Sequence, residues 1–223
     1  MSEENINHYT IISIGDQYVG KSSILSRFFQ DKFYEDYQAT IGLDFQSKKI
    51  NIEDFTFNLH LYDTSGQEKF RALIPMYIRK GDIFMIIYDI SNKDSFINLE
   101  YWINEINLYK KEDVICLLVG NKIDLEDKRQ VLKEEAEKYA KTKGFLFQEV
   151  SCKTGDKIRE LFEKKIFPEI LKKEKKRKKE ENKEEKEKEN VEKTEKIEKI
   201  EKEEKEKEDN SEDNEENESD IKK

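Results

Sequence analysis

Tyr9-Thr10-Ile11-Ile12-Ser13-Ile14-Gly15-Asp16-Gln17-Tyr18-Val19-Gly20-Lys21-Ser22 is the stretch that decides the fold. Its first six residues are apolar or β-branched at all but one position and run straight into G-x-x-x-x-G-K-S, the pattern of a buried strand emptying into a phosphate-cradling loop. After Ser22, Ile24, Leu25, Phe28 and Phe29 recur at helical spacing, so the loop is predicted to lie between strand and helix. Gly15 and Gly20 permit the turn that points successive N–H groups inward, and the helix start adds its positive dipole end. Such a concavity favours a polyphosphate. Lys21 is placed to reach β- and γ-phosphates and the Ser22 hydroxyl to bind Mg²⁺, with Gln17, Tyr18, Val19 and Ser23 completing the nucleotide-facing set.

Working outward, Phe45 to Ile52 and Phe55 to Asp63 read as two strands joined by Glu53-Asp54, short enough for a hairpin. Continuous apolar runs at 83–88 and 114–119 fit strands covered on both faces. Between them Phe96, Leu99, Trp102, Ile103 and Ile106 predict one helix over 93–109. A further helix around Val131, Ala136, Tyr139 and Ala140 follows, then a strand at 145–150. A last helix carries Ile158, Leu161, Phe162, Ile166 and Ile170, with a local irregularity expected at Pro168. The sum is an α/β P-loop domain: a six-stranded, mostly parallel sheet with one antiparallel edge strand and helices on both faces. Ligands of such sheets sit beyond the carboxyl ends of the strands.

Motifs fall at those ends. Asp63 closes the third strand, where a carboxylate can hold Mg²⁺, and Gly66 lets a backbone N–H approach a γ-phosphate. Asn121-Lys122-Ile123-Asp124 follows the fifth strand, and Asp124 can accept two hydrogen bonds from the N1–H and amine of guanine, a pair adenine lacks. Ser151-Cys152-Lys153 follows the sixth, with a backbone N–H for the guanine O6.

The bulk numbers divide the chain. Of 223 residues 42% are charged and 35% hydrophobic, with a net charge of −9. The apolar runs end near Leu171, so a leader at 1–7, a folded domain at 8–171 and a Lys/Glu-rich tail at 172–223, disordered or a single helix, are expected. The net acidity argues against nucleic acid as a partner. Cys116 and Cys152 are too few for a disulfide framework, and Cys116 reads as a small hydrophobe in a buried strand. No apolar run approaches the ~20 residues of a membrane span, so a cytosolic protein is expected.

GDQYVGKSS, YQATIGLDF, DTSGQEKFR, IIYDISNKDSF, VGNKIDLEDKRQV and SCK together resemble the Ras-superfamily small GTPases, and more narrowly the Rabs, with the wording of YQATIGLDF, LIPMYIR and DKRQV most similar to the subgroup of Golgi and retrograde traffic. The resemblance covers about Tyr9 to Ile170. It implies a GTP-binding switch that slowly hydrolyses GTP with Mg²⁺, recruits effectors in the GTP state, and depends on an exchange factor and a GTPase-activating protein, since no arginine finger can be assigned in cis. By the same resemblance Thr40 binds Mg²⁺ and the γ-phosphate, Tyr37 lies over the nucleotide, Phe33 packs against guanine, and Gln67 orients the attacking water beside Lys21. Phe45 and Tyr77 match two exposed aromatics that effectors read, and Tyr62 stands where the family usually has tryptophan. A GTP-holding scaffold that acts through its tail is the alternative.

The chain also departs from the pattern. Ser65 replaces the usual alanine beside the γ-phosphate site, and Tyr18 puts a large ring in the phosphate loop. No cysteine follows Cys152, where Rabs carry prenylated ones, so peripheral Golgi or endosomal membrane association is expected to be weak or partner-mediated, helped by the basic run 172–179.

Overall fold

The apolar run that opens the chain lies at the centre of a sheet. In the computed structural model, which describes residues 6–34, 43–64, 72–110, 114–184, 186–190, 193–194 and 196, strand β1 spans Asn7–Ile14 and is followed by helix α1, Lys21–Gln30. Strands β2 (Leu43–Ile52) and β3 (Phe55–Thr64) form the hairpin. Then come α2 (Ile74–Ile78), β4 (Ile83–Asp89), α3 (Lys93–Ile97), α4 (Leu99–Tyr109), β5 (Ile115–Asn121), α5 (Lys133–Lys143), β6 (Leu146–Glu149) and α6 (Ile158–Glu160). The six strands stand in the order β2-β3-β1-β4-β5-β6, with β2 and β3 antiparallel and every other pair parallel. The expected fold is the observed one.

Alternation along each strand divides the core into two. Ile11, Met85, Ile87, Leu117 and Val119 pack with α1 and the last helix, while Ile12, Ile14, Phe84, Ile86 and Leu118 pack with Trp102, Ile103 and Ala136 of α4 and α5. Every residue of β4 is buried, as a strand covered on both faces must be. β1 lies between β3 and β4, and the chain leaves its two sides in opposite directions, so the carboxyl end of β1 is the topological switch point where a crevice opens.

Three local readings change and a fourth becomes specific. Asn7, assigned to the leader, opens β1 and pairs with Phe57. The helix expected over 93–109 is two, divided at Asn98, where the Tyr101 N–H bonds the Asn98 carbonyl at 3.1 Å in a tighter turn. Cys116 is half-buried rather than buried, and desolvation pushes its thiol up to about 11. The irregularity near Pro168 is a π-helical segment, Leu161–Ile166, in which the Phe167 N–H reaches back five residues to the Phe162 carbonyl. Proline cannot donate and its ring crowds the carbonyl four residues earlier, so a wider turn before it relieves the clash.

The chain divides into two units, Met1–Leu171 and Lys172–Lys223. In the second, 172–184 and 186–190 are helical, and Lys176–Glu180 (3.8 Å), Arg177–Glu181 (3.5 Å) and Lys183–Glu187 (3.9 Å) pair along the helix. Exposed pairs of this kind add about 0.3–0.5 kcal/mol each. Among the described residues no helix is long and apolar enough to cross a membrane.

One core group is unsatisfied. The Tyr88 hydroxyl is buried without a hydrogen-bond partner among the described residues, facing Gly120, where a Cβ would lie only 2.6 Å from its oxygen. Tyr88→Phe is therefore expected to stabilise the domain by about 1 kcal/mol, because a stranded hydroxyl costs more than the apolar edge that replaces it. A lower midpoint in a denaturant titration would contradict this.

Candidate functional site

Four loops meet at the switch point. Gly15 leaves β1 at φ 144°, Tyr18 adopts φ 66° and Gly20 φ 95°, so the chain between β1 and α1 takes repeated left-handed steps that turn it back on itself. There is no room for side chains at the two glycines. A Cβ on Gly15 would lie 2.2 Å from the Ile87 carbonyl oxygen and one on Gly20 2.2 Å from Asn121 Nδ2. The Val19 side chain is buried in the core, which leaves its backbone to face a ligand, while the Tyr18 ring is 60% exposed.

Lys21 lies over this loop. Its side chain is buried, and Nζ donates to the carbonyls of Gly15 (3.0 Å) and Asp16 (2.7 Å). Desolvation lowers its pKa to about 8, against the opposing pull of Asp63 and Asp16. A buried ammonium held at a cost is the complement of a polyanion, whose arrival offsets the desolvation.

Beside it, the Ser22 hydroxyl donates to the Asp63 carboxylate, and Ser13 Oγ donates to Asp63 Oδ1 at 3.0 Å. Thr64 Oγ1 donates to the Ser13 carbonyl at 2.7 Å, tying the ends of β1 and β3 together. Hydroxyl and carboxylate oxygens are the donor set Mg²⁺ takes when phosphate oxygens and water fill the remaining positions. Ser22 and Asp63 thus fit the ion. Among the described residues no group of three or more His, Cys, Asp or Glu could hold a metal ion.

At the other end, Asn121 is fully buried and holds two loops at once: Nδ2 donates to the Val19 carbonyl at 2.8 Å and to Cys152 Sγ at 3.3 Å, and Oδ1 accepts from the Cys152 N–H at 3.2 Å. Asp124 Oδ1 accepts from Ser151 Oγ at 2.5 Å, which fixes the carboxylate beside the loop after β6. Lys122 sits at φ 70° with Nζ 2.6 Å from Asp89, the last residue of β4. Phe33 packs half-buried against the core beside α1. The Lys153 carbonyl accepts from Arg27 Nη2 at 2.8 Å, which joins this loop to α1.

Asp16 is held in turn by Trp102 Nε1 (2.9 Å) and Asn98 Nδ2 (2.7 Å). The turn that divides α3 from α4 is what brings Asn98 to the phosphate loop. Asp89, Asn98, Trp102 and Arg27 escaped sequence reading, since Trp102 at helical spacing reads as core and nothing local marks the others.

On the outer face of the hairpin Phe45 pairs in register with Tyr62, ring centroids 5.1 Å apart, and Tyr62 lies 5.6 Å from Tyr77 of α2. The three rings are contiguous. Phe45 is 48% exposed, and Tyr62 and Tyr77 are half-buried. His60 lies against the Phe45 ring, centroids 5.5 Å apart, and its Nε2 is 3.1 Å from Asn58 Nδ2. Tyr37, Thr40, Ser65, Gly66 and Gln67 lie outside the described residues.

A doubly wound sheet with a lysine-bearing loop at its switch point and a magnesium-fitting hydroxyl–carboxylate pair defines a P-loop nucleotide-binding protein. The Ras family model matches residues 10–172, nearly three quarters of the chain, and the protein belongs to that family. It is a small GTPase of the Ras superfamily, a GTP-binding switch that hydrolyses GTP. Members bind GTP and GDP, typically with Mg²⁺, and generally interact with exchange factors, activating proteins and effectors.

Proposed function

We propose that this GTPase is a Rab-type switch of vesicle and intracellular protein traffic, acting on Golgi or endosomal membranes to which partners recruit it. The observation that carries this is the unbroken aromatic surface of Phe45, Tyr62 and Tyr77, which joins the hairpin to α2. A rigid aromatic patch supplies contact area at little entropic cost, as interface anchors do. Tyr62 keeps the ring in place of the family's tryptophan and adds a hydroxyl at its edge.

In this reading Lys21, the loop N–H groups and Gly66 hold the phosphates, and Ser22, Asp63 and Thr40 hold the ion. Gln67 orients the water for in-line attack, and Asn121, Lys122, Asp124 and 151–153 hold the guanine. Mg²⁺, when bound, neutralises charge on the β- and γ-phosphates. The γ-phosphate, present in GTP and absent from GDP, is the group that Thr40 and Gly66 would contact, and a partner distinguishes the two states through it.

Two measurements test the proposal. Single-turnover hydrolysis with protein in excess is expected at roughly 10⁻⁴ to 10⁻³ s⁻¹, the order found for Ras without its activator. A rate near 1 s⁻¹ unaided would remove the need for an activating partner, and complete inactivity would favour the GTP-holding scaffold. In cells, tagged full-length protein is expected on Golgi or endosomal structures, and the pair Phe45→Ala with Tyr77→Ala to be dispersed; identical distributions would overturn the traffic assignment.

A further inference from the structure

Arg27 projects from the second turn of α1 onto the loop after β6. Its side chain is only 16% exposed, and its donors are spread over two elements. Nε donates to the Cys152 carbonyl at 3.0 Å and Nη2 to the Lys153 carbonyl at 2.8 Å, while Nη1 donates to the Asp31 carbonyl at 2.9 Å and to Asp31 Oδ1 at 3.3 Å.

The peptide unit is planar and trans, so the carbonyl of residue 152 and the N–H of residue 153 point in opposite directions. Fixing that carbonyl therefore aims the Lys153 N–H away from Arg27. The neighbouring donors are already engaged: the Cys152 N–H by Asn121 Oδ1 (3.2 Å), the Thr154 N–H by Ser151 Oγ (3.1 Å) and the Gly155 N–H by the Ser151 carbonyl (2.9 Å). The Lys153 N–H has no partner among the described residues, and Arg27 decides where it points.

We infer that Arg27 is a positioning residue for the guanine-facing loop: by holding two carbonyls it sets the direction of the loop's donors toward O6 of the base. Because α1 begins at the phosphate loop and Arg27 sits further along the same helix, one rigid element joins the phosphate grip to the base grip. A planar guanidinium holds both carbonyls and the Asp31 cap in one fork, which a lysine ammonium cannot. This rests on the reading that residues 151–153 face the guanine.

The test compares release of GDP with release of 2-aminopurine riboside diphosphate, which lacks O6, from full-length protein and from Arg27→Lys and Arg27→Gln. Arg27→Lys keeps the charge and serves if Arg27→Gln does not fold; thermal unfolding followed by circular dichroism verifies both. GDP is expected to leave faster by on the order of tenfold in the variants, the effect of lost charge-assisted hydrogen bonds, while release of the analogue changes by less than about twofold. Equal acceleration of both nucleotides would mean that Arg27 only packs α1, and unchanged GDP release would mean that it holds nothing that matters; either overturns the inference. If the unaltered protein showed no preference for GDP over the analogue, the guanine reading of the loop would fail first and the inference with it.

Discussion

Replacing Lys21 with alanine should lower the affinity for GDP and GTP by at least about a hundredfold, since a charge-assisted hydrogen bond to phosphate contributes roughly 1.5–3 kcal/mol and the ammonium reaches more than one phosphate oxygen. The fold itself should not suffer. Burial disfavours the charged lysine in the nucleotide-free protein, and its removal ends that cost while the carbonyls of Gly15 and Asp16 regain water. The unfolding midpoint without nucleotide should then move by less than about 1 kcal/mol equivalent. Titration calorimetry with GDP, beside a denaturant melt of the stripped protein, separates the two effects. A Lys21→Ala protein that purifies with stoichiometric guanine nucleotide would refute the phosphate role.

The second large effect falls on folding. At Gly15 an alanine meets two penalties, a backbone at φ 144° and a Cβ placed 2.2 Å from the Ile87 carbonyl oxygen. That oxygen belongs to β4, which pairs in register with β1 up to Ile14 and Ile86, so it cannot retreat without parting the two central strands. Backbone strain of about 1–3 kcal/mol and overpacking of similar size together predict a loss of roughly 3–5 kcal/mol for Gly15→Ala. Gly144 supplies the control. It caps α5 at φ 72° with nothing within 4 Å of where a methyl group would lie, so Gly144→Ala should cost only about 1 kcal/mol. Equal losses at the two positions would show that conformational strain alone, and not the approach of β4, fixes Gly15.

Much of this was legible in the chain because it is local. A strand, a glycine-bracketed turn and a helix start are neighbours in sequence, so Ile11 to Ser22 specify the phosphate loop without help from elsewhere. The alternation of Phe55, Phe57, Leu59 and Leu61 marks the inner face of β3 for the same reason. The split of the predicted 93–109 helix was not legible, since Asn98 is a tolerable helical residue until its amide is drawn to Asp16, 82 positions earlier.

What the sequence by itself determined is the order of elements, the family, and the chemistry available at each strand end, all carried by residues within a few positions of one another. The tertiary structure alone decided which distant groups support them: Asn121 on Val19 and Cys152, Trp102 and Asn98 on Asp16, Asp89 on Lys122, and Arg27 on the carbonyls of 152 and 153. The physical reason is the reach of a hydrogen bond. It acts over about 3 Å, and only the packing of helices on both faces of the sheet brings atoms a hundred residues apart within that distance.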